Sequence, residues 1–395
     1  MMQLRRFRPI RLFAALAFSS VAMAASALHA QTVGAPPAQL AARLQLSPVY
    51  VKYMDVGGLP VVASARVSDY AVAEAAYLIN KMVGQRPDIL QAIAQKNVRF
   101  VVMAPGEMTT DIPEYSDLTP RDYWDRRARG LGATPARPAT SAGEENLLNL
   151  PGDPYFEENI LIHEFAHTVY EMGMMTIDSS FDRRLLAAYE HAKAKGLWQH
   201  TYAMTNRTEY WASVAQSWFD CARGADSEHN DINTRAKLKA YDPEVAVLLK
   251  EAFGDGEWRY IRPAQRAAGE RTHLAGFDPA KAGQFSWPAA ANTQPGQGKA
   301  LAWLPAKPRI AASPPVSNEP GSIVFINHLR SKVSVDWLDF KGQRRHYADV
   351  KPGDTYFQNT YAGHVWRISS NGKLLGLLAA TADAGYIDIT DGPVH

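Results

Sequence analysis

The spacing of apolar residues divides the chain into a first part that mixes helices with strands and a last part that contains strands alone. Apolar runs of strand length, and one stretch with helical spacing, occupy the first hundred residues. Strands are predicted at 49–54, 59–64 and 98–103, and a helix at 69–83. The turn signal Gly57-Gly58 separates the first two strands. This order predicts an α+β fold for the first part.

Two helices further along the chain carry most of the polar residues of interest. Asp153 and Pro154 supply an N-cap and a proline at the first helical position, which predicts a helix over 154–172, after an edge strand at 145–150. A second helix begins near Asn206, and helical spacing continues around 234–253. The core-facing residues of the helix that begins near Asn206 lie at i, i+3, i+4, i+7 and i+8: Trp211, Val214, Ala215, Trp218 and Phe219. Another side of this helix carries Glu209, Ser213, Gln216 and Asp220.

The last third of the chain changes character twice. Nine of the 25 prolines fall within 263–320, which predicts a linker packed in part through Phe285, Trp287 and Trp303. Short strands separated by turn residues follow at 323–327, 333–340, 346–350, 356–361, 364–369 and 374–379. The chain is therefore predicted to be an α+β domain at 48–262 followed by a small all-β sandwich at 321–391.

The N-terminus has the layout of an export signal. Arg5, Arg6, Arg8 and Arg11 precede an apolar run over 12–28 that ends in small residues, so residues 1–30 are predicted to be a cleaved signal peptide. Residues 31–47 are rich in Ala, Gln and Pro and are expected to form a leader that is disordered. The mature protein is expected to be secreted or periplasmic.

Composition narrows the classes of function. Removing residues 1–30 removes four Arg and no acids, so the formal charge changes from 42 − 40 = +2 to 38 − 40 = −2. No basic stretch remains to suggest nucleic acid, and no second apolar run reaches the ~20 residues of a membrane helix. Cys221 is the single cysteine, so no intramolecular disulfide can form, and it is expected to be a buried apolar residue.

The stretch His163-Glu164-Phe165-Ala166-His167 has the HExxH form. Two imidazoles four residues apart share one helix face and suit Zn²⁺, and the glutamate lies beside the metal's water. A catalytic zinc takes a third protein ligand, for which Glu209 is the best candidate downstream. Tyr202 is the candidate donor to the oxyanion. The minor ligand candidates are His191, His200 and His229, each expected to be exposed.

This region is similar to the catalytic domain of the anthrax lethal factor type of gluzincin metallopeptidase over about 60 residues. After HExxH the resemblance is carried by Tyr202, Asn206, Glu209, Tyr210, Trp211 and Ala212. It implies a zincin-like fold in which Glu209 is the third zinc ligand and Tyr202 stabilises the transition state. Ser213 departs from the pattern, since many gluzincins have there a second acidic residue that supports a histidine ligand.

The β segment resembles the β domain of the von Hippel-Lindau protein without gaps over some 45 residues. The resemblance is carried by 335–340, Tyr347, Pro352-Gly353 and 361–366. It implies a pocket for a 4-hydroxyproline side chain formed by Trp337, Tyr347, Thr360, His364 and Trp366. Thr360 replaces a serine but keeps the hydroxyl. The alternative is that the tryptophans form the sandwich core and His364 satisfies a turn.

Together these patterns predict a secreted zinc peptidase directed by a hydroxyproline-binding module to hydroxyproline-containing extracellular proteins. Neither nucleic acid nor ubiquitin ligase subunits are expected as partners. A second hypothesis is a non-catalytic hydroxyproline-binding adhesin with a structural or degenerate zinc site. A third is a hydrolase that acts on bonds other than peptides, because zinc-bound water also attacks other electrophiles.

Overall fold

The computed structural model describes residues 32–119, 121–199, 201–225, 229–287, 299–305, 312–314, 320–382 and 384–390. The predicted signal peptide lies outside these ranges. The helices are α1 (Ala38–Leu44), α2 (Asp69–Val83), α3 (Pro87–Gln95), α4 (Arg121–Arg127), α5 (Glu144–Leu148), α6 (Ile160–Thr168), α7 (Met175–Ile177), α8 (Phe181–Ala194), α9 (Arg207–Trp218), α10 (Arg235–Tyr241) and α11 (Pro243–Phe253). The strands of the first part are β1 (Tyr50–Val56), β2 (Leu59–Ser64), β3 (Arg99–Met103), β4 (Gly130–Leu131) and β5 (Ala139–Gly143).

These five strands form one sheet in the order β1-β2-β3-β5-β4. β2, β3 and β5 run parallel, whereas β1 and β4 pair antiparallel at the two edges. β2 and β3 are buried along their whole length, as expected for continuous apolar runs in the middle of a sheet. The predicted strands at 49–54, 59–64 and 98–103 and the helix at 69–83 are confirmed.

The helices α2 and α6 pack against this sheet, and α9 packs on α6. The predicted apolar stripe of α9 is confirmed, since Trp211 and Trp218 are fully buried. The indole Nε1 of Trp211 donates to the backbone oxygen of Ala166 on α6 over 2.9 Å. This hydrogen bond ties the two helices that carry the candidate metal ligands to each other. Cys221 is buried, as predicted.

The predicted edge strand at 145–150 is wrong, because this segment contains helix α5. Its polar residues are buried, and burial is tolerated because each is paired. Glu145 accepts from the guanidinium of Arg129, with 2.6 Å between Oε1 and Nε, and both side chains are fully buried. Asn146 donates to the backbone oxygens of Tyr155 and Glu158, 3.0 Å away in each case. These are contacts across the fold, which strand spacing does not record.

The predicted start of the HExxH helix at Pro154 is also wrong. α6 begins at Ile160, and its N-cap is Asn159, whose side chain accepts from the backbone N–H of Ile162 over 3.0 Å. Asp153 instead accepts from the backbone N–H of Tyr155 and closes a local turn.

The segment expected to be a disordered leader is ordered over 32–47. It contains α1, whose Leu44 is buried. The backbone oxygen of Leu44 accepts a hydrogen bond from the guanidinium of Arg99 on β3 over 2.6 Å. Gly34 forms a bridge to Tyr53. The segment is thus held by backbone groups that the composition of 31–47 does not reveal.

The segment expected to be a linker packs on the α+β part over 263–287. Arg266 is buried and pairs with Glu74 of α2, at 2.5 and 2.8 Å. Phe285 is 1% exposed and lies against the guanidinium of Arg129, 4.5 Å from the ring centroid. The ring of Trp287 lies edge to face with that of Phe285, with centroids 5.0 Å apart, and these contacts support the expectation of partial packing.

The last part is a β-sandwich, as predicted. Its strands are β6 (Lys299–Ala300), β7 (Pro320–Asn327), β8 (Val333–Leu338), β9 (Arg344–Val350), β10 (Thr355–Tyr361), β11 (Val365–Ser370), β12 (Lys373–Ala379) and β13 (Ala384–Ile389). Two four-stranded sheets have the orders β10-β7-β13-β6 and β12-β11-β8-β9. The core between them includes Phe325, Trp366 and Ile368. β6 and β13 were not predicted, and β6 lies within the predicted linker.

From Thr32 onward the chain forms one compact unit, which contains both the α+β part and the sandwich. Among the described helices, none combines the length and the apolar character needed to cross a membrane.

Candidate metal site and adjoining cavity

The HExxH helix presents its two histidines to the N-terminal end of α9. Asn206 caps α9 by accepting from the backbone N–H groups of Thr208 and Glu209, each over 2.9 Å. This cap fixes the first turn of α9, on which Glu209 lies. The predicted placement of Glu209 away from the apolar stripe is confirmed by its contact with both histidines.

His163, His167 and Glu209, which we call the metal cluster, bring three ligand atoms together. Nε2 of His163 lies 3.1 Å from Oε2 of Glu209, and Nε2 of His167 lies 3.4 Å from the same oxygen. The two Nε2 atoms are 3.3 Å apart. The three ligand atoms lie within 4.8 Å of one another, so this group could hold a metal ion.

A chain of hydrogen bonds behind His163 orients its ring. Nδ1 of His163 lies 3.1 Å from Oε1 of Gln216. The amide nitrogen of Gln216 donates to Glu158 over 3.0 Å and to the backbone oxygen of Asn159 over 3.2 Å. Because the amide nitrogen is used in this way, Oε1 is the acceptor and Nδ1 of His163 carries the proton. Nε2 therefore faces the cluster, and it can offer a lone pair to a metal once the ring is neutral.

Gln216, rather than residue 213, supports the histidine ligand. The hydroxyl of Ser213 is buried and has no hydrogen-bond partner among the described residues. The spacing along α9 placed Gln216 on the same side as Glu209. Its role was missed, because the family pattern predicts an acidic residue at position 213 as the support and not a glutamine at position 216. The signal available was its place two turns after Glu209 and one turn after Ser213 on the same helix.

The charges in the metal cluster stabilise one another. Burial lowers the pKa of His163, but its hydrogen bond to Glu209 and the charges of Glu164 and Glu209 outweigh burial and raise this pKa to about 9. Burial raises the pKa of Glu209, but His167 and the hydrogen bonds to both histidines hold this pKa well below its usual range. The cluster therefore binds positive charge, whether as a proton or as a cation.

Glu164 and Tyr202 flank the metal cluster. Burial raises the pKa of Glu164, and the two histidines only partly offset this effect. Tyr202 lies in a short 3₁₀ turn, Tyr202–Met204, with its ring 6.2 Å from that of His163. Burial, followed by the charge of Glu209, raises the pKa of Tyr202 well above 10. Tyr202 therefore keeps its proton and can donate it in a hydrogen bond.

One cavity of about 490 Å³ contains the metal cluster. Its walls include Glu164 and Tyr202, and the stretch 127–134 around β4. Residues of β10 in the sandwich complete the lining: Gln358, Thr360 and Tyr361. We call this space the shared cavity because both parts of the chain line it.

Glycines allow β4 to lie directly on the HExxH helix. A Cβ at Gly132 would lie 2.6 Å from Cβ of His167, and a Cβ at Gly130 would lie 2.9 Å from Cγ of Glu164. Both distances are shorter than real Cβ contacts allow. The glycines at 130 and 132 are a local signal that another segment approaches this strand closely. The sequence does not show which segment that is, because α6 is distant along the chain.

The five residues predicted to bind hydroxyproline come together, and we call them the aromatic pocket. The rings of Trp337 and His364 are 5.2 Å apart, and those of Tyr347 and Trp366 are 5.0 Å apart. Nε1 of Trp366 donates to Oγ1 of Thr360 over 3.0 Å. The indole N–H of Trp337 is buried without a hydrogen-bond partner among the described residues.

The residues of the aromatic pocket differ in how deeply they are buried. Trp366 is 1% exposed and packs on Phe325, so it belongs to the sandwich core as well. Trp337, Tyr347 and His364 are half-buried. Burial lowers the pKa of His364 to about 4, which keeps its ring neutral at physiological pH.

The minor ligand candidates do not join the metal cluster. His191 pairs instead with Glu244, with 2.5 Å between Nδ1 and Oε1. His229 lines the shared cavity, and His200 lies outside the described residues. Within the described part of the chain, the group able to hold a metal consists of the three predicted ligands.

Comparison with known proteins supports the C-terminal resemblance. Residues 313–383 match the family model of the VHL beta domain, a hydroxyproline-binding module. No curated protein matches the chain. This match lies within the C-terminal part of the chain, and the α+β part is described by its structure alone.

Proposed function

We propose that this protein is a zinc-dependent peptidase, exported from the cytoplasm, whose C-terminal module binds hydroxyproline in protein substrates. The observation that carries the metal-dependent part is the convergence of His163, His167 and Glu209. The match of residues 313–383 to the VHL beta domain carries the binding part.

The separations of the three ligand atoms favour zinc. Ligands about 2.0–2.1 Å from a tetrahedral Zn²⁺ lie about 3.4 Å from one another. The three separations in the metal cluster are 3.1, 3.3 and 3.4 Å. Two imidazoles and a carboxylate are also the donor set of many catalytic zinc sites. A structural zinc would be closed by a fourth protein ligand, and the described residues of the group offer three.

When bound, Zn²⁺ would supply a Lewis acid that polarises a carbonyl and lowers the pKa of water. Glu164 accepts the proton of the attacking water and returns it to the leaving amine, a role favoured by its raised pKa. Tyr202 donates a hydrogen bond to the oxygen on which negative charge develops, because its own proton is held tightly. Gln216 holds the ring of His163 in the tautomer that binds metal.

The position of β4 favours a peptide over other substrates. β4 is the terminal strand of its sheet, and its stretch lines the shared cavity beside Glu164. An extended peptide can add to such an edge by backbone hydrogen bonds, which places its carbonyl groups along the cavity.

The aromatic pocket favours hydroxyproline over proline. Its rings accept the apolar pyrrolidine, and the hydroxyl of Thr360 and the neutral ring of His364 can bond the extra hydroxyl. Tyr347 is the candidate donor to a peptide carbonyl. Plain proline has no hydroxyl to make the additional hydrogen bonds with Thr360 and His364.

The proposal is tested by incubating the purified mature protein with hydroxyproline-rich and matched proline-rich polypeptides, with and without a chelator. Chelator-sensitive cleavage that restores on adding Zn²⁺ is expected. In Glu164→Gln, metal content should persist while cleavage falls by about 10²–10⁴. Undiminished cleavage by Glu164→Gln contradicts the proposed chemistry, and hydroxyproline binding without any cleavage favours the adhesin alternative.

A further inference from the structure

One residue of the aromatic pocket, Thr360, lines the shared cavity that contains the metal cluster. Thr360 belongs to the aromatic pocket through its hydrogen bond with Trp366, and it also lines the cavity that contains His163 and Glu209. Its neighbour Tyr361 lines the same cavity and lies near His364, with ring centroids 5.4 Å apart. One strand of the sandwich therefore serves both candidate sites.

Contacts with the α+β part hold β10 at this position. The guanidinium of Arg126, on α4, lies over the ring of Phe357, 5.2 Å from its centroid. Tyr361 is close enough to Tyr202 to contribute to the raised pKa of that phenol, after burial and the charge of Glu209. The sandwich thus reaches the candidate oxyanion donor itself.

We infer that hydroxyproline is read inside the catalytic cleft, as a subsite residue at a fixed position from the cleaved bond. This inference rests on the proposed function. It adds that the hydroxyproline of the substrate sets the position of cleavage. A cavity of the volume observed would be about 10 Å across if round, which corresponds to about three residues of extended chain. Cleavage is therefore expected within about three residues of the hydroxyproline.

A module that only tethers its substrate predicts a different pattern. Tethering raises the effective concentration of substrate near the cleft but leaves the cleaved bond free to vary along the chain. A shared cavity instead links recognition to the reacting bond, so hydroxyproline affects kcat/KM and the position of cleavage together.

The first test uses the full-length protein and a series of peptides of one length and composition in which a single hydroxyproline moves by one residue at a time. Products are identified by mass spectrometry. The cleaved bond should move in step with the hydroxyproline, and replacement by proline should lower kcat/KM by about 10-fold or more. Cleavage at bonds unrelated to the hydroxyproline, or equal rates for the proline peptides, overturns the inference and leaves the peptidase proposal standing.

Variants at Thr360 assign the effect to the shared wall. Thr360→Val removes the hydroxyl and should lose the preference for hydroxyproline, whereas Thr360→Ser keeps the hydroxyl and should retain the preference. Lys351→Ala, an exposed change on the same domain, is the matched control. Because Thr360→Val also removes the partner of Trp366, the melting temperature of each variant is measured, and His364→Ala serves as a second variant. Full preference in both variants contradicts the assignment.

A second measurement does not depend on cleavage. The full-length protein is loaded with Co²⁺, and NMR line broadening is recorded for a hydroxyproline peptide. Broadening should be strong at the hydroxyproline ring and weaker toward the ends of the peptide. A peptide that binds without broadening, or does not bind, overturns the inference. If broadening occurs but no polypeptide is cleaved, the shared cavity stands and the peptidase proposal fails.

Discussion

The metal cluster and the aromatic pocket each hold a histidine, and the two histidines respond to their surroundings in opposite directions. The pKa of His163 rises to about 9, because Glu209 and Glu164 outweigh the effect of burial. The pKa of His364 falls to about 4, because burial acts on it and the rings around it, those of Trp337 and Tyr361, carry no charge. One region thus stabilises positive charge and the other excludes it.

This difference shows what each region is suited to bind. A site that raises the pKa of an imidazole has converging acceptors, which is the environment a cation needs. A site that keeps an imidazole neutral offers apolar walls and uncharged hydrogen-bonding groups, which suit a ring with a single hydroxyl. Because Thr360 lines the shared cavity, the charge-stabilising metal cluster lies beside one uncharged residue of the aromatic pocket.

The largest effect is expected from removing a ligand of the metal cluster. Glu209→Gln removes the charge shared by both histidines and should abolish both metal retention and cleavage, because a two-ligand site holds zinc poorly. Metal content by elemental analysis and cleavage rate are the measurements. Hydroxyproline binding by the sandwich should survive in this variant, and its loss would show that the two regions cannot be separated.

A smaller effect is expected from the residue behind His163. Gln216→Leu removes the acceptor for Nδ1 and should weaken metal affinity by about 10–100-fold. Ser213→Ala is the matched control on the same helix, because the hydroxyl of Ser213 has no partner to lose. Competition with a chromogenic chelator gives both affinities. Equal affinities in the two variants would contradict the role assigned to Gln216.

The close approach of β4 to the HExxH helix predicts a further loss. Gly132→Ala places a Cβ against that of His167 and should cost about 1–3 kcal/mol of unfolding free energy, with weaker metal binding. Gly224→Ala is the control, because a Cβ there meets nothing within 4 Å. Denaturant unfolding measures both, and a neutral Gly132→Ala would remove the steric argument.

The smallest effect is expected from the titration of His364. Its pKa in the folded protein, about 4, lies below the 6.5 of an unperturbed histidine, so the unfolded chain takes up a proton first as pH falls. The contribution of neutral His364 to stability is present above pH 6.5 and is lost as pH falls through 4. Hydroxyproline binding should hold from pH 7 to about 5, and His364→Gln should remove the pH dependence of stability in this window. Loss of binding near pH 6.5 in the unchanged protein would show that His364 titrates normally.

Much of the metal cluster follows from the sequence, because it depends on local spacing. The i, i+4 spacing of His163 and His167 places both rings on one face of any helix, and the apolar stripe of α9 sets the side on which Glu209 lies. The aromatic pocket was predicted only through the resemblance to the von Hippel-Lindau β domain, because its residues lie on several strands whose pairing local spacing does not give. The residues of the metal cluster and of the aromatic pocket could therefore be named from the sequence alone.

Packing between distant segments decided the rest. Residues 145–150 form a helix because Glu145 meets Arg129 and Asn146 meets the turn before α6, contacts that no local period encodes. The support of His163 by Gln216, and the placement of Thr360 beside the metal cluster, likewise depend on how separate elements pack. The sequence by itself determined which residues bear the chemistry. Only the tertiary structure decided that Thr360, a residue of the aromatic pocket, lines the cavity of the metal cluster, because the position of β10 is set by contacts between segments more than a hundred residues apart.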